Sequence, residues 1–315
     1  MQIYIISYHT IPSKNIDMEE LITENTNQVN KFIPEIYKIL PFEVNYVPEV
    51  FMKVCEDELN ETPESKSNGC KELKRLLEDD DITTGIEYEN DFLRQYLRHT
   101  KYDSQLAFLK IRNLTNLRTT HNYLFRSVEV EYTVNPSSKY STILPYRCPD
   151  GSIIVLLQLG KFNDDMSIDD FSRISLFTAA QALRHPLTQM AGFRFIVDFK
   201  DTGFRQIKYC TLSNVKLVYL SGMECLPVTF KSYHVINGNF ATNFLWAVMK
   251  LVLPTSVRNM FNFHSSTEEL FDYFPRSIIP QEYGGELENY FMADWLKRAN
   301  EEHAKFPAEG QKNYF

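Results

Sequence analysis

The stretch Gly151-Ser152-Ile153-Ile154-Val155-Leu156-Leu157 decides the fold. Five consecutive aliphatic residues after a glycine turn predict a strand without polar alternation, which must be covered on both faces. Ser167 and Asp170 stand three apart, the spacing of a capping box, and open a helix that runs through Leu176 to Leu183. A second apolar strand follows at Phe193-Arg194-Phe195-Ile196-Val197, then a helical pattern over 207–220 and a third strand at Tyr233-His234-Val235-Ile236. An apolar helix over 240–253 leads to a strand at Met260-Phe261-Asn262-Phe263, after which Ser266 and Glu269 predict a last short capped helix. Strands that alternate with helices need crossover connections, so this half of the chain is α/β with a mostly parallel sheet.

Upstream of Pro136 the texture differs. Asp103-Ser104 predicts the cap of a helix whose leucines Leu106, Leu109, Leu114 and Leu117 recur at helical spacing, and glycine is nearly absent. This part predicts a small all-helical lobe. The division is therefore an extension at 1–47, a helical lobe at 48–132, an α/β lobe at 133–300 and a tail at 301–315.

The 315 residues are 43% hydrophobic and 14% aromatic, with 23 Phe and 18 Tyr, which excludes a disordered chain. Mean hydropathy is only −0.31, and no apolar run approaches the roughly 20 residues of a spanning helix. Net charge is −8, so nucleic-acid binding would have to work against the field of the whole chain and is not expected. The opening Met1-Gln2-Ile3-Tyr4-Ile5-Ile6 has no basic flank or cleavage site, and the five cysteines are odd in number. Both features predict a cytoplasmic protein with reduced thiols and unused sequons at Asn60 and Asn113; a monomer is expected.

Catalytic motifs are missing. No strand end carries G-x-G-x-x-G, Gly160-Lys161 lacks the upstream glycine of a phosphate loop, and no G-x-S-x-G or H-E-x-x-H occurs. Asp80 to Asp91 puts Gly85 at the sixth position of a calcium loop, but Ile82 stands where a ligand belongs and Asp91 replaces the closing Glu. That segment, like Asp164, Asp165, Asp169 and Asp170, predicts solvated surface rather than a metal site. His234 lies in an apolar strand and predicts a structural histidine; Cys225, beside Glu224 and far from any base in sequence, predicts an inert thiol. No catalytic residue, metal or cofactor is assigned.

One feature stands apart. Phe240-Ala241-Thr242-Asn243-Phe244-Leu245-Trp246-Ala247-Val248-Met249-Lys250-Leu251-Val252-Leu253 holds one charge in fourteen residues. At ~1.5 Å per residue it reaches about 21 Å, too short to cross a bilayer. Periodicity favours a buried core helix; the other reading is a lid over an apolar cavity that meets lipid when it opens. Arg205, Lys208, Lys216, Lys231, Lys250 and Arg258 outnumber Asp201 and Glu224 around it, a bias suited to transient contact with an anionic membrane surface.

Several stretches resemble the CRAL-TRIO (Sec14-like) lipid-binding family: Tyr233 to Asn237, the apolar helix after it, Leu270-Phe271 to Phe274-Pro275, and Ile279-Pro280-Gln281-Glu282-Tyr283-Gly284-Gly285. Asp91-Phe92-Leu93-Arg94-Gln95-Tyr96-Leu97-Arg98 resembles that family's helical N-terminal region, and Glu58 to Glu64 is similar to the start of many insect members. The likeness is greatest to the group containing the α-tocopherol transfer and cellular retinaldehyde-binding proteins. It implies a sheet that floors a hydrophobic pocket closed by a gate helix, and reversible carriage of a tocopherol, retinoid, carotenoid or similar lipid without covalent chemistry.

By position in the motifs, the resemblance implies a wall of Leu157, Ser175, Ala179, Phe193, Val197 and Cys210, continued by Val218, Ser221, Val228, Phe230 and Tyr233. Ser175 or Ser221 is expected to orient a ligand hydroxyl. Gate contacts are expected from Phe240, Phe244, Trp246, Val248 and Leu253, and Ser172 stands where a large aromatic is usual. Of the family's phosphoinositide-gripping basic set only Lys231 is kept, with Thr100, Thr229, Ser256 and Met260 at the other positions and Lys250 and Arg258 displaced. The alternative function, a phosphoinositide-sensing signalling or trafficking adaptor, depends on those three bases.

Overall fold

A computed structural model describes residues 58–125, 139–162, 167–288 and 290. The expected extension, the Pro136 boundary, Asp164, Asp165 and the C-terminal tail lie outside the described residues. Helix α1 (Pro63–Glu78) starts at a capping box in which Thr62 and Ser65 exchange hydrogen bonds of 3.1 and 2.8 Å, with Pro63 in the first turn. Helices α2 (Asn90–His99) and α3 (Ser104–Thr120) pack on it. Asp103 caps α3 as expected; Leu114 and Leu117 are buried, whereas Leu106 faces outward.

The α/β lobe holds one sheet in the order β1 (Ser141–Ile143), β2 (Ile153–Gln158), β3 (Phe193–Asp198), β4 (Phe230–Ile236) and β5 (Phe261–Phe263). Strand β1 is antiparallel to β2; all other pairs are parallel. Because the strands follow one another in chain order, right-handed crossovers place every connecting helix on the same face. These are α4 (Ile168–Ala182), α5 (Pro186–Ala191), α6 (Phe204–Ile207), α7 (Leu212–Tyr219), α8 (Phe240–Met249) and α9 (Thr255–Arg258). The Ser167–Asp170 box caps α4 as the sequence predicts.

The other face would be bare without the segment after β5. Leu270, Phe274, Ile278, Ile279, Tyr283 and Leu287 form a strap that packs on Ile154, Leu156, Ile196 and Ile236. Its turn explains the Pro-x-Glu-Tyr-Gly-Gly motif: Gly284 has φ +84°, and a Cβ on Gly285 would lie 1.9 Å from the Ile279 carbonyl oxygen. Tyr283 donates to Asp198 at 2.8 Å, and Gln158 donates to the Tyr283 hydroxyl at 2.9 Å, which ties the strap to the carboxyl ends of β2 and β3.

Two expected elements differ. The 207–220 pattern is broken, because Thr211 caps a new helix through Asn214 N while the Asn214 amide donates to Tyr209 O; after α7 the chain widens into a π-turn at Leu220–Cys225. The last capped helix is a 3₁₀ segment, Thr267–Asp272, whose Ser266 makes no side-chain capping bond, and the Glu269 carboxylate bonds His264 and the Ser265 amide. The two halves share a core: α2 and α3 residues pack in one cluster with Ile143, Ile153, Val155, Phe193 and Val228. Buried Lys110 of α3 donates to the carbonyls of Met223 and Leu226, satisfying the end of the π-turn.

Candidate functional site

Between the helix-bearing face of the sheet and the helices lies a cavity of about 350 Å³, within the range of small-molecule sites. Alternate strand residues build its floor, as a period of two requires: Val155 and Leu157, Phe193, Phe195 and Val197, Tyr233 and Val235, Phe261 and Phe263. A bulge adds one more aromatic. Phe193 pairs with Phe230 and Arg194 with Ser232, so Lys231 is the extra residue and both Phe230 and Tyr233 face the cavity. The floor is a row of rings, with Phe195–Tyr233 centroids at 4.8 Å, Tyr233–Phe261 at 4.4 Å and Trp246–Phe261 at 5.0 Å.

All eleven expected wall residues border this space. Leu157, Phe193, Val197, Phe230 and Tyr233 come from the floor, Ser175 and Ala179 from α4, Cys210 and Val218 from the α6–α7 region, Ser221 from the π-turn and Val228 from the approach to β4. Their hydroxyls are partly spent: Ser221 donates to Val218 O at 3.3 Å, and Ser175 is bonded to Tyr140. The Cys210 thiol is pushed up to about 11 by burial, which keeps it protonated and apolar. Among the described residues, no Asp, Glu, Lys, Arg or His lines the cavity.

The apolar helix is not a buried core helix. In α8 only Ala241 and Thr242 are buried. Thr242, Leu245, Trp246 and Met249 face the cavity, while Phe240 and Phe244 are 51% and 46% exposed on the other side. The expected gate residues therefore divide. Trp246 and Leu253 line the wall, Phe240 and Phe244 point outward, and Val248 is half-buried off the cavity. Fully apolar periodicity misled because a cavity and an outward apolar patch both accept such residues. The patch continues into Phe204, 82% exposed and paired with Phe240 at 5.1 Å, and Leu251, 77% exposed. Asn239 anchors the start of α8: it caps Ala241 N and donates to Phe199 O and Thr202 Oγ1.

The three expected headgroup bases are not alike. The Lys231 ammonium lies 2.8 Å from Asp150, which also holds Arg194 at 2.9 Å. Burial alone would raise the Asp150 carboxyl, but Lys231 and Arg194 more than offset it and hold it well below the usual carboxylate range. Arg258 donates to Thr255 Oγ1, and Lys250 is exposed at the end of α8.

His234 is on the opposite face of the sheet. It is fully buried, bonded to His264 at 3.0 Å and Ser232 at 2.9 Å, and packed edge-on against Tyr273 and Phe274. Burial, then His264 and Arg194, bring its pKa down to about 3, so it is neutral and structural. Burial pushes the Cys225 thiol up against the opposing pull of Lys110, a base 115 residues away in sequence that the local reading could not find. Asp80 spends its carboxylate on Arg112 and on the amides of Ile82 and Thr83, and no group of three metal-ligating side chains occurs among the described residues. No helix among the described residues is long and apolar enough to cross a membrane.

Comparison with known proteins agrees with this architecture. Residues 137–285 match the model of the CRAL/TRIO domain. The chain is 23% identical over 258 residues to "Alpha-tocopherol transfer protein-like" of Homo sapiens, covering 81% of this chain and 75% of that protein. It is 22% identical over 278 residues to "Clavesin-1" of Pongo abelii, with 86% and 77% covered. The solved structure of Sfh5 aligns over 95% of this chain and 99% of its own at 10% identity and a TM-score of 0.38, too loose a match to bear on the site. The match falls on the lobe that encloses the cavity, which is similar to a CRAL/TRIO domain.

Proposed function

We propose that this protein binds a small hydrophobic lipid in the cavity and transfers it between membranes, by reversible sequestration without covalent chemistry. The observation that carries the reading is an uncharged, aromatic-floored cavity flanked by a helix with one face inward and apolar side chains outward. Burial of apolar ligand surface at roughly 25 cal/mol per Å² supplies affinity without charged contacts. Helix α8 is the gate: Phe204, Phe240, Phe244 and Leu251 enter the facing leaflet while Arg205, Lys208 and Lys250 meet anionic headgroups. The protein then acts from the cytoplasm as a monomer with transient membrane contact. The engagement of Lys231 by Asp150 weighs against a phosphoinositide-sensing adaptor.

Native mass spectrometry with organic extraction of the purified protein tests the reading, and a cavity that takes up no lipid from vesicles overturns it. Phe230→Asp and Trp246→Asp are expected to abolish loading, because each buries a carboxylate in the cavity wall. Unchanged transfer between liposomes in both variants would dismiss the assigned wall and gate.

A further inference from the structure

Part of the roof over the cavity is one helix deep. No residue of α6 or α7 is buried, and α8 buries only Ala241 and Thr242 at its start. Few buried contacts mark the part of a fold that opens at low free energy. Within this roof α6 and α8 are joined at two points. On the outside the Phe204 and Phe240 rings, one from each helix, pair at 5.1 Å. At the base the Asn239 side chain acts in two directions. Its Oδ1 accepts from Ala241 N at 2.8 Å and so caps α8, while its Nδ2 donates to Phe199 O at 3.0 Å and to Thr202 Oγ1 at 2.9 Å. Phe199 to Thr202 is the turn that leaves β3 and from which α6 starts, and the Thr202 hydroxyl pins it by donating to Phe199 O at 2.7 Å. The cap of one helix is thus fastened to the root of the other. On its far side α6 is tied to the end of β2. Gln206 accepts from Gly203 N through Oε1 at 3.0 Å and donates through Nε2 to Phe162 O at 3.1 Å.

We propose that α6 and α8 leave the cavity together, as a two-helix lid, and that Asn239 is the positioning residue that couples them through its side-chain amide. The inference rests on the lipid-carrier reading, in which α8 is the gate, and deepens it: the moving unit is larger than α8. Moving α8 alone would split the ring pair and pull the Asn239 amide from acceptors in buried residues, Phe199 and Thr202. A buried acceptor that loses its donor is costly. Moving both helices keeps the two joints and gives up the Gln206–Phe162 bond instead. Gln206 and Ile207 of α6 line the cavity beside Thr242, Leu245 and Trp246 of α8, so joint motion withdraws two stretches of wall at once. Phe204 and Phe240 then reach a membrane as one apolar pair.

Hydrogen exchange read by mass spectrometry on the full-length protein tests the coupling. Two amide-to-carboxylate variants separate the ties. Gln206→Glu keeps the acceptor for Gly203 N and loses the donor to Phe162 O; Asn239→Asp keeps the cap on Ala241 N and loses the donor to the Phe199–Thr202 turn. Gln206→Glu is expected to speed exchange about five- to tenfold at the α6 amides, and by a similar factor at α8, which it does not touch. In the Asn239→Asp background the same change is expected to speed α6 but to alter α8 less than about twofold. Thr202→Val is expected to uncouple the helices as Asn239→Asp does, and Thr202→Ser to leave them coupled, so that the hydrogen bond rather than a new charge carries the effect. A rise confined to α6 in Gln206→Glu overturns the inference, as does an α8 that still follows α6 without the Asn239 amide. Faster exchange in α4 as well would show general loosening and would also overturn it. With vesicles of phosphatidylcholine and phosphatidylserine, α6 and α8 are expected to lose protection together. Vesicles that change neither helix and deliver no lipid would overturn the carrier reading, while the comparison without vesicles decides the coupling in either case.

Discussion

The two faces of the sheet are drawn from alternate residues of the same strands, yet they are built to opposite ends. On the strap face Ile154, Leu156, Ile196 and Ile236 meet Leu270, Phe274 and Ile279 in a closed core, and the buried polar groups there (Asp198, Gln158, Tyr283, His234) have partners. On the cavity face Leu157, Phe195 and Tyr233 stay partly uncovered. One face spends its side chains on stability and the other holds them in reserve. The difference teaches that burial along a strand is not one property: adjacent residues of the same type serve different ends.

The largest effect is expected where the strap turns. Gly285→Ala pushes a methyl group into the Ile279 carbonyl, and urea unfolding is expected to show a loss of about 4 kcal/mol or more, near the severe end of single substitutions. The sharpest test uses neighbours in one strand. Leu156→Ala, on the closed face, is expected to cost about 3 kcal/mol, and Leu157→Ala, on the cavity face, about 1 kcal/mol in the lipid-free protein, because no filled core is emptied. Equal losses would break the contrast between the faces.

Acid titration comes next. Burial holds His234 at about 3 and His185 at about 3, and His99 well below its usual value, whereas all three regain the ordinary value near 6.5 on unfolding. The unfolded chain therefore binds more protons below pH 6.5, and stability falls as pH drops from there toward 4, with a slope approaching about three protons. His234→Gln is expected to remove about one proton from that slope; an unchanged slope would mean that His234 titrates equally in both states. The smallest effect belongs to Lys231→Gln. Asp150 keeps Arg194, the pair is partly solvated, and a change of about 1 kcal/mol or less is expected, with cargo retention unaltered.

Much of this architecture is legible in the chain. The aliphatic run at Ile153, the Ser167 cap and the apolar strands at Phe193 and Tyr233 each declare themselves within a few residues, and the expected wall positions collect around one space. What stayed hidden depends on long range. Strand β1 is three residues with a polar start, below any periodicity. The Tyr283–Asp198 bond joins positions 85 apart, and Lys110 finds its carbonyls more than 110 residues downstream. The division of the α8 aromatics into inward and outward sets needs the cavity's position, which no pattern within the helix encodes.

Chain-order winding has a consequence for synthesis. A growing polypeptide can lay down β1 to β5 and their helices as they emerge, but the strap that covers the second face ends at Leu287 and arrives last. Until it clears the ribosome, Ile154, Leu156, Ile196 and Ile236 present an uncovered aliphatic sheet, the kind of surface on which nascent chains aggregate or engage chaperones. The final residues of the domain therefore time its escape from the ribosome as well as complete its core.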